Sequence, residues 1–363
     1  MPKLFGKELS REELMRRVGD VRQVGGVREV MLWGGREGWV RAAEFRTGTG
    51  LEFTVLLDRG MDIGEARYRG YPLAWVSPTG FAGPWFYEPE ELGWLRTFGG
   101  GLITTCGLTH LGEPCEDEGE SLGLHGRISH IPASNTWTDY EWEGRVCRMW
   151  AQGRVRQATV FGENLELSRR VWARLGESRF FVEDEVTNLG HEPSPFMILY
   201  HVNLGYPVVD EGSMLLAPSR SVRPRDEEAR KGLSEWDKFL SPTSGFAEQV
   251  FYHDMAEDED GYVTLALVNP DVEGRPLGVY IRYHREQLDK FVEWKMMGEG
   301  TYVVGLEPSN SWVEGRAKAR KGGELEFIGP GERRRFHLEI GIVDSEERLS
   351  EVRSRVEEAL EGA

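Results

Sequence analysis

Four short stretches place histidine or carboxylate where acid–base chemistry is possible. They are Thr109-His110, Leu124-His125-Gly126-Arg127, Leu199-Tyr200-His201-Val202-Asn203 and Val304-Gly305-Leu306-Glu307-Pro308. His201 ends an apolar run that starts at Pro195, and Glu307 directly follows a second apolar run. A carboxylate and an imidazole at strand ends can face one ligand as base and acid. Their ordinary pKa values, about 4.3 and about 6.5, let one be ionised while the other holds a proton near neutrality. Taken singly, a histidine beside a strand is more often a hydrogen-bonded structural residue.

Two of these stretches lie in the glycine-rich segment Phe98 to Pro132, which holds His110, His125 and His130 together with Cys106 and Cys115. Gly99, Gly100 and Gly101 reach backbone angles that other residues avoid and let a ligand approach closely. Loops of this composition on a strand scaffold collect binding residues; the plainer alternative is a surface loop with incidental histidines. Lys295 also stands out. Only eight of the 44 basic residues are lysines, and this one sits in the apolar run Trp294-Lys295-Met296-Met297. It could hold a sugar hydroxyl or an anionic substituent, or snorkel from a strand edge.

The elements that must position these groups are strands. Val30 to Trp33, Trp39 to Phe45, Leu51 to Leu57 and Leu73 to Val76 are short apolar-rich runs, the first three separated by glycine-containing turns. Residues 147–152, 165–175 and 279–283 alternate apolar and polar with the period of two that half-buried sheet requires. Strand follows strand without intervening helices, which predicts an all-β, mainly antiparallel sandwich. Residues 219–260 read as a long irregular excursion. Ser10 and Glu13 have capping-box spacing and predict a short helix over about 10–18. Asp344 and Glu347 repeat it, and Leu349, Val352, Val356 and Leu360 form an apolar stripe, predicting a helix over about 345–361. No domain boundary interrupts the chain, so residues 1–363 are expected to form one unit.

Composition excludes several classes. The 39% hydrophobic and 29% charged residues describe a globular chain. A net charge of −17 argues against a nucleic-acid surface. No apolar run approaches the length that crosses a bilayer, and MPKLFGKELSREEL lacks the apolar core of a signal peptide, so a cytoplasmic location is expected. The three cysteines, Cys106, Cys115 and Cys147, have no CxxC spacing and predict reduced thiols.

LGLHGR (Leu122 to Arg127) resembles the Leu-His-Gly signature of the aldose 1-epimerases, the galactose mutarotase-like superfamily. YHVNLG, from Tyr200, resembles that family's second histidine segment, and GLEPSN, from Gly305, its late segment with the catalytic glutamate. DRGMDIG, GLTHLG, LHGR and WKMMGEG match a bacterial subgroup, and the resemblance runs from Val30 to Val343 in the same order. It implies a β-supersandwich with a sugar-binding cleft, His201 as general acid and Glu307 as general base. It also implies His125 at the ring oxygen or neighbouring hydroxyls and Arg59 as a substrate-binding arginine. His110 and Lys295 belong to the subgroup and are expected in the same cleft. The family's Gly-Tyr-Pro-Gly segment ahead of the second histidine is absent, which bears on hexose specificity.

The expected activity is interconversion of the anomers of a free sugar or sugar derivative, without a cofactor and with a small sugar as the only partner. The rate is expected to rise as Glu307 ionises and fall as His201 loses its proton. Three rivals remain. One is an epimerase, isomerase or lyase for an unusual or oxidised sugar, motivated by His110 and Lys295. Another is a metal site built from His110, His125, His201 and Glu307, although HxH and HExxH spacings are missing. The last is a non-catalytic carbohydrate-binding sensor. Nothing in the sequence sets an oligomeric state.

Overall fold

The computed structural model describes residues 1–362. Two large antiparallel sheets carry almost all the regular structure. A twelve-stranded sheet runs in spatial order Ser219–Pro224, Gln249–Met255, Lys290–Gly298, Thr301–Ser309, Ser194–Leu204, Ile103–Leu108, Asp62–Tyr68, Leu51–Leu56, Arg41–Arg46, Gly26–Met31. Tyr71–Pro72 and Glu326–Ile328 pair beside that path. An eight-stranded sheet runs Ser134–Glu143, Val146–Ala158, Asn164–Arg174, Arg179–Asn188, Arg333–Val343, Leu277–His284, Tyr262–Asn269, Met214–Leu216. This is the mainly antiparallel β-sandwich predicted by the alternation. No helix is long and apolar enough to cross a membrane.

The inner faces of the sheets form one core. Phe45, Val55 and Tyr200 from the larger sheet pack with Val171, Val182 and Leu338 from the smaller, and Phe53 stacks on Phe180 with ring centroids 4.3 Å apart. Each strand of the larger sheet therefore sends alternate residues the other way. Met197, Leu199, Val250, Tyr252 and Val292 cluster on the outer face, and that is where the candidate site lies.

Between the sheets sits a buried ion network. Arg169 donates to Asp184 through Nε at 2.9 Å and Nη2 at 2.6 Å, and through Nη1 to Asp62 at 3.1 Å. Tyr200 donates to Asp184 at 2.6 Å, and the Thr105 N–H and hydroxyl donate to Asp62. Burial pushes the Asp62 carboxyl up to about 6, against the pull of Arg169. Removing the guanidinium strands two carboxylates in the core. Arg169→Ala is expected to cost about 3–5 kcal/mol of stability, read by chemical denaturation. A loss below about 1 kcal/mol, the scale of a surface ion pair, would refute the role.

Local predictions fare unevenly. The Ser10–Glu13 capping box is present and starts the helix Arg11–Met15. The C-terminal helix Glu346–Glu361 is capped by Ser345, not Asp344, and Ala359 turns inward while Leu360 stays exposed. Leu73–Val76 forms no strand, only two isolated bridges, Ala74 to Leu204 and Val76 to Gly100. Within the irregular excursion, Ser219–Pro224 and Gln249–Met255 join the larger sheet as its outermost strands.

Candidate active site

The site starts from one register. Leu199 pairs with Ser309 and Val202 with Leu306, which sets His201 directly opposite Glu307 on neighbouring antiparallel strands. Glu307 pairs on its other side with Val292, and Gly305 with Trp294. Side chains directly opposite on one face are the closest cross-strand neighbours. His201 Nε2 lies 3.1 Å from Glu307 Oε1, and both residues are almost fully buried. A Cβ built on Gly305 would fall 2.7 Å from Glu307 Oε1 and 2.7 Å from His201 Cε1. The glycine leaves the room in which the pair meets.

Burial disfavours charge on both partners. It pushes the Glu307 carboxyl well above its ordinary value, helped by Glu248 and opposed by Arg225. It pushes the His201 imidazole well below its ordinary value, with His125 adding to the effect and Asn203 opposing it. Both shifts favour the uncharged forms, a carboxyl beside a neutral imidazole, so the pair can hold a single proton between two groups. Asn203 is itself anchored, donating to the Gly101 carbonyl at 3.0 Å and the His201 carbonyl at 2.9 Å.

His125 reaches the same place from the glycine-rich loop. Its φ is +58°, and Gly126 beside it has φ +76° with no room for a Cβ against the His110 and Gly107 carbonyls. The His125 N–H donates to the Gly112 carbonyl at 2.9 Å, and its own carbonyl accepts from Gly107 N–H at 3.1 Å. Held this way, the ring sits 6.0 Å from that of His201 and 4.8 Å from that of Trp94. Packing lowers its pKa. Phe98 and Trp294 flank His201, each with ring centroids at 5.4 Å.

His125, His201 and Glu307 line one cleft of about 550 Å³. The other three residues expected there do not. Arg59 is buried, donates to the carbonyls of Ala82 and Thr97, and contacts His130 Nε2 at 3.2 Å. Its guanidinium thus ties the turn after Leu51–Leu56 to the segments carrying Ala82 and Thr97. His110 is buried behind His125, its Nδ1 accepting from Arg316 N–H at 3.3 Å, and burial pushes its pKa down to about 4. Lys295 stands one residue from Trp294 and so faces the opposite side of the sheet. Its Nζ donates to the Glu235 and Lys238 carbonyls at 2.7 and 2.5 Å. Gly99, Gly100 and Gly101 are needed for close backbone packing against the Gly80, Trp75 and Ile63 carbonyls, not for a ligand.

Sequence reading missed Arg225 and Glu248, which also line the cleft. Arg225 Nη2 donates to Glu248 at 3.0 Å, and Trp294 Nε1 donates to the same carboxylate at 2.8 Å. Both residues lie within the irregular excursion, where no periodicity marks a face. Among the described residues, no three His, Cys, Asp or Glu side chains are grouped to hold a metal ion. A second groove of about 580 Å³ on the smaller sheet is lined by charged pairs that engage one another, Arg335 with Glu185 at 2.8 Å and Arg169 with Asp184, beside a partly exposed His337–Glu183 contact at 4.0 Å.

Sandwich and cleft together define a galactose mutarotase-like protein. The chain belongs to the family described as "Domain of unknown function (DUF4432)", whose profile matches residues 37–342. Among solved structures it is similar to a provisionally assigned aldose 1-epimerase from Klebsiella pneumoniae subsp. pneumoniae MGH 78578. The two share 26% identity over 92% of this chain and 87% of that one, with a TM-score of 0.87. A galactose mutarotase-like protein from Clostridium acetobutylicum shares the fold at 13% identity and TM-score 0.61, over 89% and 99% of the two chains. A galactose 1-epimerase from Lactobacillus acidophilus NCFM does so at 11% identity and TM-score 0.50, over 88% and 99%. Comparison with curated proteins gives no match.

Proposed function

We propose that the protein is an aldose 1-epimerase-type isomerase that interconverts the anomers of a small free sugar. The observation that carries this reading is the buried His201–Glu307 contact in an aromatic-walled cleft, with His125 alongside. In the reactive arrangement Glu307 is a carboxylate and His201 an imidazolium. Glu307 takes the proton of the C1 hydroxyl as the C1–ring-oxygen bond breaks, and His201 gives its proton to that oxygen. Rotation about C1–C2 and the reverse transfers close the ring as the other anomer. The pair holds one proton throughout, and the sugar is neither oxidised nor reduced. His125 is placed to hold an oxygen near the reacting centre. Lys295 and His110, which motivated an oxidised-sugar reading, both face away from the cleft.

Saturation exchange between anomer signals in NMR, above the uncatalysed rate, tests the activity. Tight sugar binding without faster exchange would favour a sensor.

The pH profile follows from the shared proton. A second proton enters only below 6.5, because burial lowers His201. The last proton leaves only above the ordinary carboxyl value of 4.5, because burial raises Glu307. Activity is therefore expected to fall below pH 6.5 as the pair gains its second proton, and to fall again at some pH above 4.5 and above that acid limb as it loses its last. This reverses the assignment of the two limbs expected from the sequence. The apparent values belong to the pair. An acid limb in kcat/KM at or above pH 6.5 would refute it.

A further inference from the structure

The reading above leaves the sugar unnamed, and the walls of the cleft bear on it. Each hydroxyl that leaves water needs a partner or costs free energy. Glu307 and His201 serve the C1 hydroxyl and the ring oxygen. Most other polar groups at the cleft are already engaged with one another. Ser77 donates to the Phe98 carbonyl and accepts from Thr79 N–H, and Thr79 donates to the Gly80 carbonyl. Glu248 accepts from Arg225 on one oxygen and from Trp294 on the other. Arg225 also donates through Nε to Asp226 at 2.9 Å, so two carboxylates neutralise it.

The Glu113 carboxylate and the Thr301 hydroxyl, both at more exposed positions of the cleft, are unengaged, but what remains for further sugar oxygens in its buried part is small. His125 is one group, and the buried Trp94 Nε1, which has no hydrogen-bond partner, is another. The rest of the inner wall is apolar, formed by Trp75, Phe98, Leu124, Val250, Val292 and Val313. Val292 is the direct cross-strand neighbour of Glu307, so apolar surface reaches the reacting centre itself. Arg59 and Lys295, the cations expected to grip substituents, spend their donors on backbone carbonyls elsewhere.

We propose that the cleft selects an uncharged, hydroxyl-poor aldose, a deoxysugar, over its fully hydroxylated counterpart. The proposal rests on the anomer-exchange reading. An apolar wall discriminates against an added hydroxyl by about 10²-fold or less, so the preference is expected to be clear but not absolute.

The test uses the full-length protein and three sugar pairs that differ by one hydroxyl. These are D-glucose and 2-deoxy-D-glucose, D-galactose and 6-deoxy-D-galactose, and D-ribose and 2-deoxy-D-ribose. Anomer exchange is followed by NMR, with each sugar's uncatalysed rate subtracted. In at least one pair the deoxysugar is expected to exceed its partner by about tenfold or more in kcat/KM. If exchange is catalysed but no pair reaches tenfold, the deoxysugar proposal is overturned and the isomerase reading stands. If no sugar in the panel exchanges above background, the isomerase reading itself falls, and this proposal with it.

Discussion

Glu307→Gln is expected to lower kcat for anomer exchange by about 10²–10⁴-fold, the range for losing one positioned acid–base group. Glutamine keeps the shape of the side chain and can still meet His201 Nε2, but its amide cannot take the C1 hydroxyl proton. It also removes the proton that the pair shares. Sugar affinity, read by titration against NMR or calorimetry, is expected to change far less, because the lost interaction belongs to the transition state. Stability is expected to hold or rise. Folding raises the Glu307 carboxyl pKa, so the folded state loses stability as pH climbs from 4.5 through the raised value, and an amide removes that loss. A variant with full exchange on the best substrate would end the assignment of Glu307 as the base. His201→Asn should behave in the same way, whereas His125→Asn should show a larger share of weakened binding.

Gly305→Ala should be nearly as damaging to turnover although it touches no reacting atom. Elsewhere in a strand the change would be mild or favourable, since glycine weakens strands. Here the new methyl would sit 2.7 Å from both members of the pair. The methyl has no alternative side, because residues two apart in a strand share a face and Gly305 therefore faces the same way as Glu307. The carboxylate and imidazole must part or tilt, and a misplacement of about 1 Å can cost roughly 10²-fold. The expected result is a fall of that order in kcat with the sandwich intact by circular dichroism. Wild-type turnover would show that the pair can be displaced without consequence, and the register argument for the site would fail.

How legible the site was depends on which contacts each residue makes. His201 and Glu307 could be found because each lies in an apolar strand where a charge-bearing side chain is conspicuous, and His125 because it interrupts a glycine-rich loop. Arg225 and Glu248 could not, since they lie within an excursion whose charges follow no period. Lys295 was conspicuous for the same reason as Glu307, yet it belongs to the far side of the sheet. Its neighbour Trp294 faces the cleft, and with a period of two the lysine cannot. Arg59 follows the strand Leu51–Leu56 by three residues. Nothing local says that its donors meet the carbonyls of Ala82 and Thr97.

The sequence by itself determined the strand periodicity, the antiparallel class, the capping box at Ser10 and Glu13, and the two apolar strands that carry an imidazole and a carboxylate. These are properties of neighbouring residues, decided by side-chain alternation and local hydrogen bonding. Only the tertiary structure decided that His201 stands opposite Glu307 and that Gly305 makes room for them. It alone turned Arg59, His110 and Lys295 away. Strand register and loop docking join residues some hundred positions apart, and burial then moves the pair's protons by removing water that no local pattern can count.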